Sequence, residues 1–257
     1  MRIGILGGTG PAGRALAARL AAVGFEVVVG SRSKYRAMEI VDTLLGHWPE
    51  HQLTIGAAEN SGAADSDIVV IATPWDGATQ TAASVEDKLR GKVVVSMANA
   101  LTRLGKEFQP LVPPRGSVAA SVQAAVPQCM VAAALHHVPA RELGDLSHPI
   151  ESDVLICSDH PSAIQVTSDI VDKIPNMRPL NAGELAMATP IESFTAVLMQ
   201  LNTHYKTRVA LKFTGIRDAE AARTTQAPGA VRRDAHPPSR DGVDPPTDSS
   251  STSEHPA

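Results

Sequence analysis

The chain has 257 residues, 43% of them hydrophobic but only 3% aromatic, and a formal net charge of −4. That length admits one large domain or a large and a small one, with a core assembled from Ala, Val, Leu and Ile rather than from rings. The weakly acidic balance speaks against a nucleic-acid surface, and no apolar run nears the roughly 20 residues of a membrane span, so a cytoplasmic protein without nucleic-acid or membrane partners is expected.

Arg2-Ile3-Gly4-Ile5-Leu6 predicts a strand almost at the N-terminus. Gly8-Thr9-Gly10-Pro11-Ala12-Gly13 then matches G-x-G-x-x-G, after a strand and opening a helix over residues 13–23. Gly8 is expected to make the tight turn, Gly10 to let backbone approach a pyrophosphate, and Gly13 to bring the helix close to the strand. The free N–H groups and positive dipole end of that helix would face the pyrophosphate. A second strand at residues 26–29 supplies the context that separates a dinucleotide site from an ordinary glycine turn.

An NAD site carries Asp or Glu about 20 residues past the glycines. Here the second strand runs into Gly30-Ser31-Arg32-Ser33-Lys34-Tyr35-Arg36, with no acid. Ser31, Arg32 and Arg36 suit the 2′-phosphate of NADP, for which arginine offers a planar two-pronged donor. The alternative is a solvated basic loop.

A helix over 35–45, a brief strand at 53–56 and a short turn at 60–64 lead to a strand at 67–72. Ligands in open α/β sheets sit beyond the carboxyl ends of the strands, so Thr73, Pro74 and Trp75 are expected to line the crevice. The Trp75 ring either meets a ligand or is a core or lid aromatic. A helix over 76–89 and a strand at 92–96 follow. Residues 101–116, with Pro110, Pro113 and Pro114, read as a loop or short lid.

After a helix at 117–125, a strand at 130–135 delivers His136 and His137 to the same rim. Adjacent histidines on an extended chain point to opposite faces, and no Cys, Asp or Glu stands at ligand spacing, so no metal is expected. One histidine should face the crevice and the other be structural. Cys129 and Cys157 read as reduced, buried small residues.

Residues 141–152 look like a linker. A strand at 153–158, a helix at 161–174, an extended piece at 177–180 and a long helical stretch over 184–212 follow. The predicted architecture is α/β. A Rossmann-type doubly wound parallel sheet occupies residues 1–145, a small C-terminal α/β domain 146–216, and a polar, disordered tail 217–257.

GGTG at 7–10, SR at 31–32, TPW at 73–75, ALHHVPA at 134–140 and RPLNAG at 178–183 occur in order over about residues 1–216. With these segments the chain resembles the NADPH-dependent reductases of the deazaflavin coenzyme F420. The resemblance implies a homodimer that binds NADP and coenzyme F420 in the cleft between its two domains and passes a hydride between them. On matching positions, Thr9, Gly10, Pro11 and Ala12 would hold the pyrophosphate, and Ser31, Arg32 and Arg36 the 2′-phosphate. Thr73, Ala98 and Ala134 would line the ribose-nicotinamide path, and His136 would stand beside the deazaflavin as the catalytic-site residue.

The family commonly has Lys where this chain has Arg36, and the segment SMANALTR at 96–103 departs from a proline-bearing version. Competing readings are an NADPH-dependent reductase of a flavin, ferric chelate or imine, and a non-catalytic NADP sensor.

Overall fold

The computed structural model describes residues 1–217. Short runs of Val and Ile form strands because their branched side chains fit a pleated surface covered on both sides. Ile3, Ile5 and Leu6 of β1 (Arg2–Leu6), Val27 to Val29 of β2 (Glu26–Ser31), the whole of β4 (Ile68–Ile71) and the whole of β5 (Val93–Ser96) are buried. With β3 (Ile55–Glu59) and β8 (Met130–Ala133) they make a six-stranded sheet, ordered β3-β2-β1-β4-β5-β8, in which every neighbouring pair is parallel. The strand order reverses between β1 and β4, the position where such sheets gather a ligand.

The alternation of side chains divides the core. Ile3, Ile5, Val27, Val29, Val93 and Val95 face the side covered by α1 (Pro11–Ala22), α2 (Lys34–His47), α7 (Ala140–Gly144) and α8 (Pro161–Asp172). Leu6, Val28, Val69, Ile71 and Val94 face α3 (Asn60–Ala63), α4 (Trp75–Ala83), α5 (Glu86–Leu89), α6 (Val118–Ala125) and α9 (Ala188–Tyr205). Alanines on α1, α4 and α6 let these helices lie close to the sheet.

A parallel pair, β9 (Ser152–Ile156) with β10 (Met177–Asn181), continues the sheet beyond β8. The join is one antiparallel bridge between Ala133 and Cys157, reinforced by the Ser158 hydroxyl donating to the Val131 carbonyl at 2.6 Å. Val154, Ile156, Ile170 and Val171 thereby enter the same core as β1 and α1. All described residues fall in one compact unit.

Several sequence expectations need correction. Residues 101–116 are not all loop: Leu101–Leu104 (β6) and Glu107–Pro110 (β7) form an antiparallel hairpin across a two-residue turn with Gly105 at φ 61. The helix expected over 76–89 breaks into α4 and α5 around Ser84 and Val85. The strand expected at 53–56 lies at Ile55–Glu59.

The stretch read as a linker contains α7 and is fastened. Arg19, buried on α1, donates to the carbonyls of Leu143 and Glu142 at 3.0 Å, and also to those of Asp145 and His148. The long C-terminal helix begins with a 3-10 turn at Leu185–Met187 and ends at Tyr205, where Lys206 takes a left-handed φ of 52. Pro190 is tolerated because it sits in the first turn of α9, where its missing N–H breaks no bond. The expected disordered tail lies, from residue 218, outside the described residues.

Candidate active site

The glycine turn sits at the carboxyl end of β1. Gly7, one residue ahead of Gly8 in the same turn, has φ 71, the backbone conformation that only glycine adopts cheaply. A Cβ on Gly7 would lie 2.5 Å from the Thr73 methyl, so the two central strand ends could not meet with any other residue there. Gly13 does approach the turn closely, since a Cβ there would stand 2.7 Å from Gly8 Cα. Gly10 has room: the nearest atom to an added Cβ is 3.5 Å away.

Gly10 is the N-cap of α1, with Pro11 as first helical residue and no acid in the first turn. Pro11 has no N–H to leave unpaired, and the amides of Ala12 and Gly13 lack intrahelical acceptors, so positive potential is unopposed at this end. Thr9 lies in the turn itself. Asn60, which the sequence reading passed over, anchors this turn by accepting the Gly7 amide at 3.1 Å.

The tip of β2 gathers cationic side chains at a helix start. Ser31 is buried, while Arg32, Lys34 and Arg36 are exposed. Ser33 caps α2, its hydroxyl accepting the Arg36 amide. Three cations thus surround a helix N-terminus, the end where the dipole disfavours them. A bound phosphate would relieve that repulsion.

Thr73 follows β4, and Pro74 is the N-cap of α4, whose first residue is Trp75. The Trp75 side chain is 36% exposed at the rim, so it is not a core aromatic. Across the next strand ends, buried polar atoms go unused: Thr73 Oγ1, Ser96 Oγ and both ring nitrogens of His136 have no protein hydrogen-bond partner. Buried polar groups are seldom left in that state, and here they sit at the carboxyl ends of β4, β5 and β8. Among them, Ser96 was not singled out from the sequence.

Burial, with His137 alongside, pushes the His136 imidazole down to about 3. His137 differs in spending one ring nitrogen, its Nε2 standing 2.9 Å from the Asp153 carbonyl oxygen. Ala98 and Ala134 lie at the same rim but are buried on opposite faces of the sheet, so their side chains are not set together.

A dinucleotide fits this arrangement. The α1 N-terminus and the space at Gly10 suit a pyrophosphate, the β2 tip a further phosphate, and the unspent groups at β4, β5 and β8 a polar ring system. Beyond β8, α9 brings Glu192 into the interior, where it accepts the Val118 and Ala119 amides of α6 at 2.8 and 3.0 Å. Burial pushes its carboxyl up to about 7 despite those two amides.

Comparison with known proteins agrees. Residues 2–100 match the family model described as NADP oxidoreductase, coenzyme F420-dependent. The chain is 35% identical over 223 residues to the F420-dependent NADP reductase of Methanocaldococcus jannaschii, covering 84% of this chain and 97% of the relative. It is 30% identical to that of Methanothermobacter thermautotrophicus, covering 86% and 97%. A crystal structure of a putative F420-dependent NADP reductase from Arthrobacter superposes with a TM-score of 0.70 at 22% identity, over 83% of this chain and all of that one. That likeness shows the fold; the sequence identity to the two archaeal enzymes, over nearly their whole length, shows that the chain belongs to the F420-dependent NADP reductase family.

Proposed function

We infer that the protein is an oxidoreductase transferring a hydride between NADP(H) and coenzyme F420. The observation that carries the NADP half is the β2 tip, where Ser31, Arg32 and Arg36 stand at a helix N-terminus with no acid in its first turn. Family membership and the unspent groups beyond β4, β5 and β8 support the F420 half. When bound, the nicotinamide and deazaflavin rings supply the redox chemistry themselves, through C4 of one and C5 of the other.

The chain's own task is to bind, orient and exclude water. Gly8 to Gly13, with the amides of Ala12 and Gly13 at the helix N-terminus, receive the pyrophosphate. Ser31, Arg32 and Arg36 take the 2′-phosphate. Thr73, Pro74, Trp75, Ala98 and Ala134 border the nicotinamide end, Ala98 and Ala134 through their backbone. His136 meets the deazaflavin as a neutral imidazole, able to donate from one nitrogen and accept at the other. Residues 1–145 serve as the NADP-binding part and 146–216 as the wall that covers it.

A homodimer joined along α9 is part of this reading. Met187, Phe194, Val197, Leu201 and Tyr205 are exposed at helical spacing along one seam. Replacing Val197 with Lys should shift the mass seen by light scattering to that of one chain. A cytoplasmic setting fits Cys129 and Cys157, both unpaired and buried. Among the described residues no helix is long and apolar enough to cross a membrane.

Coenzyme F420 loses its visible absorbance on reduction, so mixing it with NADPH and the protein reads the reaction directly. Deuterium placed at the transferred C4 position should appear at C5 of the product, and FMN or FAD should be poor acceptors. If F420 stays oxidised while FMN or a ferric chelate is reduced, the acceptor half of this reading fails and the NADPH half stands.

A further inference from the structure

Asn99 lies three residues beyond the end of β5 and touches two other elements through its side-chain amide. Nδ2 donates to the His136 carbonyl at 3.0 Å, and Oδ1 accepts from the Thr195 hydroxyl on α9 at 3.2 Å. A carbonyl can only accept, so the His136 oxygen decides which end of the amide faces it. Thr195 is then obliged to donate to the other end. The orientation of Asn99 is therefore set from both sides.

What Asn99 holds is costly. Leu135 has φ 67, the left-handed region that branched residues avoid. Its carbonyl accepts the Val138 amide at 3.3 Å, closing a turn that carries His136 and His137 between them. Within that turn His136 is buried with neither ring nitrogen satisfied by the protein. Backbone strain and an unspent buried ring both oppose this local conformation, and such features persist where the surroundings over-determine them.

We propose that Asn99 is a positioning residue for the deazaflavin side of the reaction. It grips the Leu135–His136 turn from β5 and so holds the His136 ring unspent at the rim, while Thr195 carries the same grip to α9. This rests on the reading that His136 meets F420. The amide spends one N–H on backbone and its oxygen on Thr195, and the role proposed for it runs through the turn these bonds hold. It also couples the helix bearing the exposed apolar seam to the site, so that a shift of α9 is felt at His136.

The test uses the full chain with Asn99→Ala, Asn99→Asp, Thr195→Val, His136→Ala and the double variant Asn99→Ala/His136→Ala. Four quantities are measured: the dissociation constant of oxidised F420 without NADPH, that of NADPH without F420, kcat/KM, and Tm. Asn99→Asp keeps the size and the acceptor for Thr195 but loses the donor to the His136 carbonyl. Either Asn99 variant should weaken F420 binding by about tenfold, the loss expected of one orienting hydrogen bond, with the NADPH constant unchanged.

Thr195→Val should lose less than either. The double variant should be no worse than His136→Ala, because the two residues act as one unit. Summed losses in the double variant would overturn the positioning role while leaving His136 beside F420. Parallel losses in NADPH and F420 affinity together with a fallen Tm would make Asn99 a general structural clamp. An unaltered His136→Ala would instead overturn the reading of His136, and with it this proposal.

Discussion

The Asp153 carboxylate, wholly buried, is held from two directions at once by Arg178, whose Nε and Nη2 stand 2.8 and 2.7 Å from its oxygens. Arg178 also donates to the carbonyls of Phe213 and Ile216, and the Phe213 amide donates to Asp153 Oδ2 at 2.5 Å. Burial pushes the Asp153 carboxyl up, but the Arg178 guanidinium and the Phe213 amide outweigh it and hold the group below the usual carboxylate range. Removing one partner of such a pair leaves a buried charge alone. Arg178→Ala should cost about 3–5 kcal/mol in urea unfolding, and Arg178→Lys should recover only part, since an ammonium lacks the planar fork.

The same pair fastens residues 211–216, and this separates two truncations. Ending the chain after Lys206 removes the fastened segment and should lower Tm by several degrees. Ending it after Arg217 leaves every one of these contacts in place. That shorter chain should keep both Tm and cofactor affinity.

Selectivity for NADP should reside in the tip of β2. Arg32→Ala removes a charge-assisted contact worth about 1.5–3 kcal/mol that only the 2′-phosphate can use. The Michaelis constant for NADPH should rise more than about tenfold, and that for NADH should scarcely move. Equal losses with both cofactors would show that Arg32 reads something else.

His136 makes a prediction about pH. Folded, its imidazole stays neutral down to about 3, whereas in the unfolded chain histidine binds a proton below about 6.5. The unfolded state therefore binds more protons between those values, and stability falls as pH drops through that window. His137, lowered chiefly by burial, acts in the same sense. His136→Gln should flatten the pH dependence of urea stability between pH 7 and 5, and the wild-type rate should show no inflection from this residue near neutrality.

Glu192 pulls the other way. Its folded carboxyl titrates near 7 against about 4.3 when unfolded, so here the native state binds the extra proton. Its contribution is full at pH values below the unfolded value and is lost as pH rises through 7. Glu192→Gln should consequently cost more stability at pH 5 than at pH 8. Equal costs at the two pH values would mean that the two α6 amides keep the carboxylate ionised throughout.

The parallel-sheet fold is legible in the sequence because its signals are local. The glycines, the missing acid after β2 and the Val-rich strands each act within a few residues of where they stand. What was missed depends on distance. Residues 141–152 look like a linker until Arg19, over a hundred positions earlier, is seen to fasten them. The hairpin at 101–110 is masked in the sequence by Pro110 and its polar residues, although Gly105-Lys106 is a usable turn signal. The positive φ of Gly7 lies outside the G-x-G-x-x-G pattern, and Thr73, just past the neighbouring strand, leaves no room there for a Cβ. Asn60, Asn99 and Ser96 carry no motif at all; only the crossing of chain segments shows what they touch.

Trp75 opens α4 at the rim of the candidate cleft, whereas Trp48, the chain's other tryptophan, ends α2 with its ring edge-on to His47 and His51. Since α2 returns antiparallel to β2, these two indoles stand at opposite ends of the sheet. The protein thus carries a built-in optical probe and its own reference. NADPH absorbs where indole emits, so its arrival should quench Trp75 by energy transfer and leave Trp48 much less affected. A Trp48→Phe variant would isolate the responsive signal, allowing cofactor arrival to be timed in a stopped-flow instrument without any label.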